Sequence, residues 1–378
     1  VGQVEFSSWT DDGRLRHPSF QGLREDKPAA GVVRDDAREY TAAPTGPKAK
    51  AVAHVGGRAA TKQKRAIAVK QQKAAAEISE NVVAGIRLTH PERLLYPEQG
   101  VTKLGLAAFY AEIADWILPH VVGRPLSLLR CPEGRRKTCF FQKHLDASAP
   151  DALARITIQE KNKPGHYAAV RDISGIVALV QMGVLEIHLW GSRADHVEKP
   201  DRLVFDLDPD EGTEWSRIVT AAERVRDALN AFDLESFLKT SGGKGLHVVV
   251  PIVRRHEWPQ IKAFCKGVAQ RISLEEPERY TINPLKARRV GRIFIDYLRN
   301  ERGATAVAAY STRAREGAPV SVPIDWSELK KDLRADHFNV DNLPARLNQL
   351  RRDPWADLMT TRQSITTAAL KAVAKSIR

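Results

Sequence analysis

Residues 203–209 read LVFDLDP, an apolar run that ends in two carboxylates. Because successive side chains of a β-strand point to opposite faces, Asp206 and Asp208 are expected on one face of a strand. Phe205 and Leu207 then lie on the other face. Two carboxylates held this close together repel each other, and a divalent cation relieves the repulsion. The run therefore predicts a metal site, although acidic pairs at strand ends also occur without a metal.

A second run, residues 241–247, reads SGGKGLH and precedes a predicted strand. Its glycines let backbone N–H groups approach a phosphate closely, while Ser241, Lys244 and His247 supply side-chain donors. The run is not a P-loop, because Lys244 is followed by a glycine and not by Ser or Thr. A glycine-rich hairpin turn is the alternative interpretation.

A third run, residues 292–297, reads RIFIDY and again has an acid, Asp296, at the end of an apolar strand. Together, the three runs supply three carboxylates for metal and a cationic cradle for phosphate. This combination is the equipment of two-metal phosphoryl transfer.

The 378 residues carry a formal net charge of +13, and 43% of them are apolar. A chain of this length can build a sizeable core, and its excess of Lys and Arg predicts a polyanionic partner, with a basic surface lacking any specific ligand as the alternative. No signal peptide and no apolar run of about 18 residues is found, so neither secretion nor a membrane span is predicted. Cys131, Cys139 and Cys265 lack the spacing of zinc ligands and are interpreted as reduced thiols of a cytosolic protein.

The composition divides the chain into four segments. Residues 1–27 look like the last strands of a larger domain, and residues 28–80 have the Ala-, Lys- and Gln-rich composition of a flexible basic linker. Residues 81–358 alternate strand and helix patterns, which predicts an α/β or α+β domain, and residues 359–378 are interpreted as a polar tail. Within the domain, Thr102 is predicted to cap a helix that continues through Leu118. Further helices are predicted at 215–232 and 259–272, and strands at 126–129, 187–190, 203–207, 246–250 and 293–297.

From about residue 86 to residue 355, the chain resembles the polymerase domain of bacterial DNA ligase D, a member of the archaeo-eukaryotic primase superfamily. The three runs occur in the order found in that family, and the catalytic acids show no departure from it. The resemblance implies a primase-like catalytic core with mixed and antiparallel β-sheets flanked by helices. It also implies that Asp206 and Asp208 bind two metal ions and that Asp296 helps hold the metal near the primer 3′-hydroxyl.

The same resemblance assigns residues to the incoming nucleotide and to DNA. The nucleotide and its triphosphate would be gripped by basic and hydroxyl side chains, namely Ser241, Lys244, His247 and Arg313, with His188 and Arg299 nearby. Phe140 and Phe141 match an aromatic pair that stacks on bases at the template break, with a buried strand pair as the alternative. Arg289 falls on a loop that helps position the primer terminus.

Arg93 and Lys103 match residues that hold the 5′-phosphate of a downstream strand. The alternative for Lys103 is an ordinary lysine in the first turn of a helix, an unfavourable position for a cation unless an anion lies there. Residues 24–27, REDK, resemble the last motif of the oligonucleotide-binding-fold domain of ATP-dependent DNA ligases. The adenylating motif K-x-D-G is absent from this chain, so the first segment is predicted to be a ligase remnant without ligase activity.

These observations predict a DNA end-repair polymerase of non-homologous end joining, with templated gap filling and some non-templated addition. The resemblance implies two divalent ions, with Mn²⁺ favoured and Mg²⁺ or Co²⁺ as alternatives, and NTP or dNTP substrates with ribonucleotides preferred. The implied partners are DNA ends and gaps with a 5′-phosphate, Ku, and the ligase and phosphoesterase domains of the same full-length chain, in the cytoplasm and nucleoid of a bacterium.

Two other classes remain open from the sequence. One is a phosphatase of the haloacid-dehalogenase type, whose pattern requires Thr or Val where this chain has Asp210. The other is a DNA-end scaffold without catalytic activity.

Overall fold

A computed structural model defines the structure of the protein. It describes residues 81–329 and 333–375 and, before them, the backbone of four short strands. The chain divides into two compact units, Val1–Gln63 and Lys64–Arg378. The predicted linker, residues 28–80, and the REDK motif lie outside the described residues.

The first unit contains two antiparallel strand pairs. Strand β1 (Gly2–Glu5) pairs with β4 (Ser19–Leu23), and β2 (Ser8–Trp9) pairs with β3 (Leu15–Arg16). The prediction that residues 1–27 contain strands is therefore confirmed.

The second unit combines helices with two six-stranded sheets. Its strands are β5 (Val82–Val83), β6 (Ile86–Arg87), β7 (Leu94–Tyr96), β8 (Val101–Thr102), β9 (Leu126–Arg130), β10 (Phe140–Gln142), β11 (Ala154–Gln159), β12 (Pro164–Ala169), β13 (Val184–Trp190), β14 (Arg202–Pro209), β15 (Phe237–Thr240), β16 (Leu246–Pro251), β17 (Tyr280–Thr281), β18 (Ile293–Asp296), β19 (Thr305–Val307) and β20 (Pro323–Ile324). Its α-helices are α1 (Lys103–Glu112), α2 (Ala114–Val121), α3 (Ile173–Gln181), α4 (Trp215–Asn230), α5 (Trp258–Glu275), α6 (Leu343–Gln349) and α7 (Thr367–Lys375).

The two large sheets are mostly antiparallel. The first has the strand order β11-β12-β9-β13-β19, and β10 pairs with β9 beside this path. The second has the order β17-β18-β14-β16-β15-β20, in which only β17 and β18 are parallel. The predicted fold class, a mixture of helices with mixed and antiparallel sheets, is confirmed.

Strand β14 lies inside the second sheet, between β16 and β18. The apolar and acidic side chains of β14 lie on opposite faces, as predicted. Phe205 and Leu207 are fully buried, while the side chain of Asp208 is 48% exposed. Helix α4 contacts β14 and β16 and buries residues spaced by three or four positions, among them Ile218, Ala222 and Val225. The apolar face of the sheet is thereby covered, and the acidic face is left for chemistry.

The predicted helix from Thr102 to Leu118 is two helices. Its start is as predicted, because the Thr102 side chain accepts a hydrogen bond from the backbone N–H of Gly105 at 3.0 Å. Helix α1 ends at Glu112, and the backbone turns at Ile113, whose φ and ψ are −96° and 19°. The chain then begins α2 at Ala114. The apolar periodicity of the sequence continues across this turn, so the periodicity did not reveal that the helix is interrupted.

The segment 359–378, predicted as a polar tail, contains α7, which contacts α5. Ile365, Ala369 and Val373 are buried at intervals of four residues. Val373 fits against Gly267 of α5, where an added Cβ would lie 2.6 Å from the Cβ of Val373. The structure therefore corrects the interpretation of a polar tail, because a short apolar stripe in a polar segment is enough to bind the helix to the domain.

The prediction of three reduced thiols is wrong for two of them, because Cys131 and Cys139 form a disulfide with their Cα atoms 4.3 Å apart. Only Cys265 is free, and its burial raises the pKa of its thiol. No local pattern marks this pairing, because a loop that returns on itself over eight residues resembles any other polar loop. No helix in the described part of the chain is long and apolar enough to cross a bilayer.

Candidate functional site

The three predicted acids lie on β14 and β18. The register of these strands pairs Asp206 directly with Asp296, and Asp208 lies two residues further along β14. Arg299 bridges the first two, because its Nε is 3.3 Å from an Asp206 carboxylate oxygen and 3.1 Å from an Asp296 carboxylate oxygen. A single cationic group can therefore be shared by the two carboxylates.

The two bridged carboxylates differ in their pKa values. Burial raises the pKa of Asp296 above its ordinary value; Arg299 offsets part of this rise, and the neighbouring charge of Asp206 adds a smaller increase. Burial also acts to raise the pKa of Asp206, but His247 and Arg299 outweigh it, so that this pKa is well below its ordinary value. The pair therefore holds closely spaced negative charge that the protein alone does not fully compensate.

His247 lies on β16 directly opposite Asp206, and its Nε2 is 3.3 Å from Asp206 Oδ1. Burial lowers the pKa of His247 to about 4, and the nearby Lys239 adds to the effect. His247 is therefore neutral near pH 7 and can donate one hydrogen bond to Asp206. Lys239 was missed by the sequence analysis, and its buried ammonium group donates to Ser321 Oγ at 2.5 Å.

The glycine-rich run 241–247 forms a tight loop between β15 and β16. The Ser241 hydroxyl accepts hydrogen bonds from the backbone N–H groups of Gly243 at 3.1 Å and Gly245 at 3.2 Å. Gly242 has a φ of +64°, a conformation that favours glycine. Lys244 is exposed at the tip and pairs with Glu211 at 2.9 Å. The loop thus holds its own shape and presents a lysine to solvent.

Glu186 joins the loop to the other sheet and was not predicted. This buried carboxylate on β13 lies 2.8 Å from His188 Nε2 and 2.9 Å from Arg313 Nε, and it accepts from the backbone N–H of Ala314 at 2.9 Å. Burial acts to raise the pKa of Glu186, but His188 and Arg313 lower it to about 2. Arg313 also donates to the carbonyl of Ser241 at 2.6 Å. A glutamate two residues before His188 in an apolar strand was the signal that could have revealed it.

Phe140 and Phe141 lie on β10 and are exposed, at 44% and 62%. The alternative of a buried strand pair is therefore wrong. The Phe141 ring meets His188 edge to face, with their centroids 5.4 Å apart. The aromatic pair thus borders the residues predicted to bind nucleotide.

Arg289 holds the residue 284–292 loop to the acidic strand. Its Nη1 is 2.5 Å from Asp208 Oδ2, its Nη2 donates to the carbonyl of Pro284 at 2.5 Å, and its guanidinium lies 4.1 Å from the centroid of the Phe294 ring. Leu285 and Val290, on the same loop, are exposed. A basic loop that exposes two apolar side chains is therefore anchored at Asp208.

Lys103 and Arg93 form a separate basic pair. The Lys103 side chain is buried and donates to the carbonyls of Thr89 at 2.8 Å and Gln181 at 3.3 Å. Burial lowers the pKa of Lys103, and the neighbouring charge of Arg93 adds to this effect. Arg93 donates one hydrogen bond, to Pro132 O at 2.9 Å. The other guanidinium nitrogens of Arg93 form no hydrogen bond within the described residues, whereas the Lys103 ammonium has protein partners.

The acids fit a divalent cation by their chemistry. Carboxylate oxygens are the ligands that Mg²⁺ and Mn²⁺ prefer. The Arg299 guanidinium already supplies a positive charge between the carboxylates of Asp206 and Asp296. In residues 81–329 and 333–375, no three His, Cys, Asp or Glu side chains converge on one point. Asp208 is paired with Arg289 and, unlike Asp206 and Asp296, is not bridged by Arg299.

Comparisons with known proteins identify the family. Residues 102–355 match the family described as "LigD, primase-polymerase domain", and residues 1–27 match "ATP dependent DNA ligase C terminal region". The multifunctional non-homologous end joining protein LigD of Pseudomonas aeruginosa is 40% identical over 369 residues, which are 97% of this chain and 41% of that protein. The protein of the same name from Mycolicibacterium smegmatis is 33% identical over 75% of this chain and 38% of its own length.

A solved structure agrees with these sequence matches. The polymerase domain from Mycobacterium tuberculosis ligase D in complex with DNA superposes with a TM-score of 0.68 at 32% identity, covering 73% of this chain and 98% of that one. The chain therefore belongs to the LigD primase-polymerase domain family, a class of nucleotidyltransferases. The predicted resemblance and enzyme class are confirmed, and the chain spans less than half the length of the two curated relatives.

Proposed function

We propose that the protein adds nucleotides to the 3′-hydroxyl of broken DNA ends before ligation, as the polymerase part of a non-homologous end joining enzyme. The observation that carries the proposal is the pair of cross-strand carboxylates, Asp206 and Asp296, which share one cationic group beside a glycine-rich, lysine-tipped loop. The names of the relatives and the DNA in the matched structure supply the biological setting.

Each residue group has a separate task in this proposal. The acids would hold a divalent metal, which would supply activation of the primer 3′-hydroxyl and neutralisation of charge on the leaving diphosphate. Asp206, Asp208 and Asp296 would be the metal ligands. Neutral His247 keeps Asp206 oriented by its hydrogen bond. Ser241, Lys244 and Arg313 bind the triphosphate, with His188 and Arg299 beside them.

Other residues bind the DNA. Phe140 and Phe141 stack on bases of the template, because their rings are exposed beside His188. Arg289 positions the primer terminus through its loop. The proposal includes two metal ions with Mn²⁺ preferred, a preference for ribonucleotides, some non-templated addition, Ku as a partner and the ligase and phosphoesterase domains of a longer chain.

Primer extension tests this function. We expect extension with Mn²⁺ that exceeds extension with Mg²⁺, and faster addition of NTP than of dNTP. A phosphatase would instead release phosphate from small esters without extending the primer. A scaffold would bind DNA and extend nothing with either metal, and that result would contradict the proposed activity.

The pair of Arg93 and Lys103 predicts recognition of a 5′-phosphate. The wild-type protein should bind a gap with a downstream 5′-phosphate about tenfold more tightly than one with a 5′-hydroxyl, because a charge-assisted contact contributes roughly 1.5–3 kcal/mol. Arg93→Gln should remove most of this preference, measured by fluorescence anisotropy on the two gapped duplexes.

Lys103→Met is the variant to compare with Arg93→Gln. The Lys103 ammonium already donates to two protein carbonyls, so its loss should also affect stability. It should lower the free energy of unfolding by about 1–3 kcal/mol, since it removes the hydrogen bonds that the buried Lys103 ammonium donates to two carbonyls. Both variants should extend an isolated primer–template, with no downstream strand, much better than they fill a gap. Wild-type indifference to the 5′-phosphate would remove this assignment.

A further inference from the structure

An arginine-rich cavity of about 250 Å³ lies at the other end of β14 from the acids. Arg202 opens that strand, four residues before Asp206, which corresponds to roughly 13 Å along an extended chain. The charged side chains that line the cavity are five arginines and one aspartate, namely Arg124, Arg193, Arg202, Arg254, Arg362 and Asp201. We call this feature the arginine cavity.

The acids near the arginine cavity are already engaged. Arg124 holds both oxygens of Asp201 at 2.7 Å, and Arg193 Nε lies 3.2 Å from one of the same oxygens. Arg254 pairs with Asp195 at 2.6 Å. Guanidinium groups therefore outnumber carboxylates even when Asp195 is included.

Arg202 is the buried arginine of this set that forms no salt bridge within the described residues, although Asp201 lies close enough to act on its charge. It is 5% exposed, and its one hydrogen bond within the described residues goes from Nη2 to the sulfur of Met359 at 3.9 Å. Burial lowers the pKa of Arg202 well below its ordinary value, and the neighbouring charge of Arg124 adds to this effect. The Nε of Arg124 is also buried without a hydrogen-bond partner. An uncompensated buried cation is costly, so an anion in the cavity would stabilise the folded state.

We propose that the arginine cavity binds a phosphate group, with Arg202 and Arg362 as its direct ligands and Arg124 and Arg193 completing the positive surroundings. Guanidinium groups match phosphate oxygens with two parallel hydrogen bonds. The cavity is smaller than the roughly 300–1,000 Å³ of sites for drug-sized ligands, which favours phosphate or diphosphate over a whole nucleotide. The phosphate can be a free ion or a backbone phosphate of a nucleic acid strand.

Thermal unfolding of the whole chain tests the proposal. Inorganic phosphate or diphosphate, compared with sodium chloride at equal ionic strength, should raise the Tm of the wild-type protein by roughly 2–4 °C once the ligand exceeds its Kd several-fold. Arg202→Met should lose this shift while its ligand-free Tm equals or exceeds that of the wild type, because the buried charge has gone. Arg362 is exposed, so Arg362→Ala provides a second variant that keeps the fold.

Arg271→Ala is the matched control, because Arg271 is an exposed arginine on α5 that does not line the arginine cavity. It should keep the full phosphate shift. A shift of wild-type size that persists in both Arg202→Met and Arg362→Ala would locate the phosphate elsewhere and overturn the proposal.

DNA binding distinguishes the two sources of phosphate. If the ligand is a backbone phosphate, Arg202→Met and Arg362→Ala should each weaken binding to a blunt duplex with 5′-hydroxyl ends about tenfold and reduce its salt dependence. If the ligand is a free ion, duplex affinity should stay unchanged while the Tm shift is lost. The absence of any Tm shift, together with wild-type duplex affinity in both variants, would overturn the proposal.

Discussion

Alanine at Asp206, Asp208 or Asp296 is expected to abolish nucleotide addition, lowering kcat/KM by about a thousand-fold or more. The reason is that each carboxylate would carry part of the charge that holds the metal against the primer and the triphosphate. Primer extension with Mn²⁺ measures the loss, and anisotropy on the same duplex should show DNA affinity near that of the wild type.

Asparagine variants separate lost chemistry from lost folding. The raised pKa of Asp296 means that the folded protein disfavours its ionised form, a cost that is present above the folded-state pKa and absent below the ordinary one. Asp296→Asn should therefore unfold at the same or a higher temperature at neutral pH without metal. The depressed pKa of Asp206 stabilises the fold above its ordinary pKa, and this stabilisation is lost as the pH falls through the folded-state value.

Asp206→Asn should accordingly lower the Tm at neutral pH, and both asparagine variants are expected to be inactive. Addition of Mn²⁺ should raise the Tm of the wild-type protein and leave both variants unchanged. Substantial extension by Asp208→Ala, or a metal-dependent Tm shift that survives in all of these variants, would contradict the assignment of the metal site.

Gly245→Ala should have the largest effect on folding. A Cβ at this position would lie 1.8 Å from the carbonyl oxygen of Leu207, which belongs to the strand that carries the acids. Backbone must therefore move in either β14 or the glycine-rich loop, and we expect a loss of about 3 kcal/mol or more in the free energy of unfolding. Urea unfolding measures this loss, and primer extension should fall with it.

Gly243→Ala is the matched control on the same loop. Its added Cβ would meet the Ser241 hydroxyl at 3.3 Å and two arginine side chains at 3.6 Å, all of which can give way. We expect a change within about 1 kcal/mol. Equal stability of the two variants would mean that the loop does not require close approach to the acidic strand.

Periodicity was sufficient for the strand that carries two of the acids and for the helix that covers it, but it did not reveal β11, β12 or α3. The strand pattern at 203–209 predicted which side chains of β14 point inward, and the amphipathic pattern predicted α4 to within two residues of its observed end. Short edge strands such as β10 and β19 were missed, because two or three residues are too few to establish an alternation.

The acids of the site were predictable from sequence, but their partners were not. Asp206, Asp208 and Asp296 occur in recognisable runs, whereas the contact of Asp206 with Arg299 depends on which strands pair. The salt bridge of Glu186 was equally hidden, because its partner Arg313 lies 127 residues further along the sequence. Such contacts arise from tertiary packing and leave no local pattern.

The salt bridge between Arg289 and Asp208 couples the position of the residue 284–292 loop to the proposed metal site. A carboxylate oxygen that accepts from the Arg289 guanidinium is less available to a metal, so release of the residue 284–292 loop and binding of a metal at Asp208 would favour each other. Thermodynamic reciprocity then requires that a primer strand which draws this loop away from Asp208 raise metal affinity by the same factor by which metal raises affinity for the primer. The enzyme would thereby hold its metal most tightly when a DNA end is present to be extended.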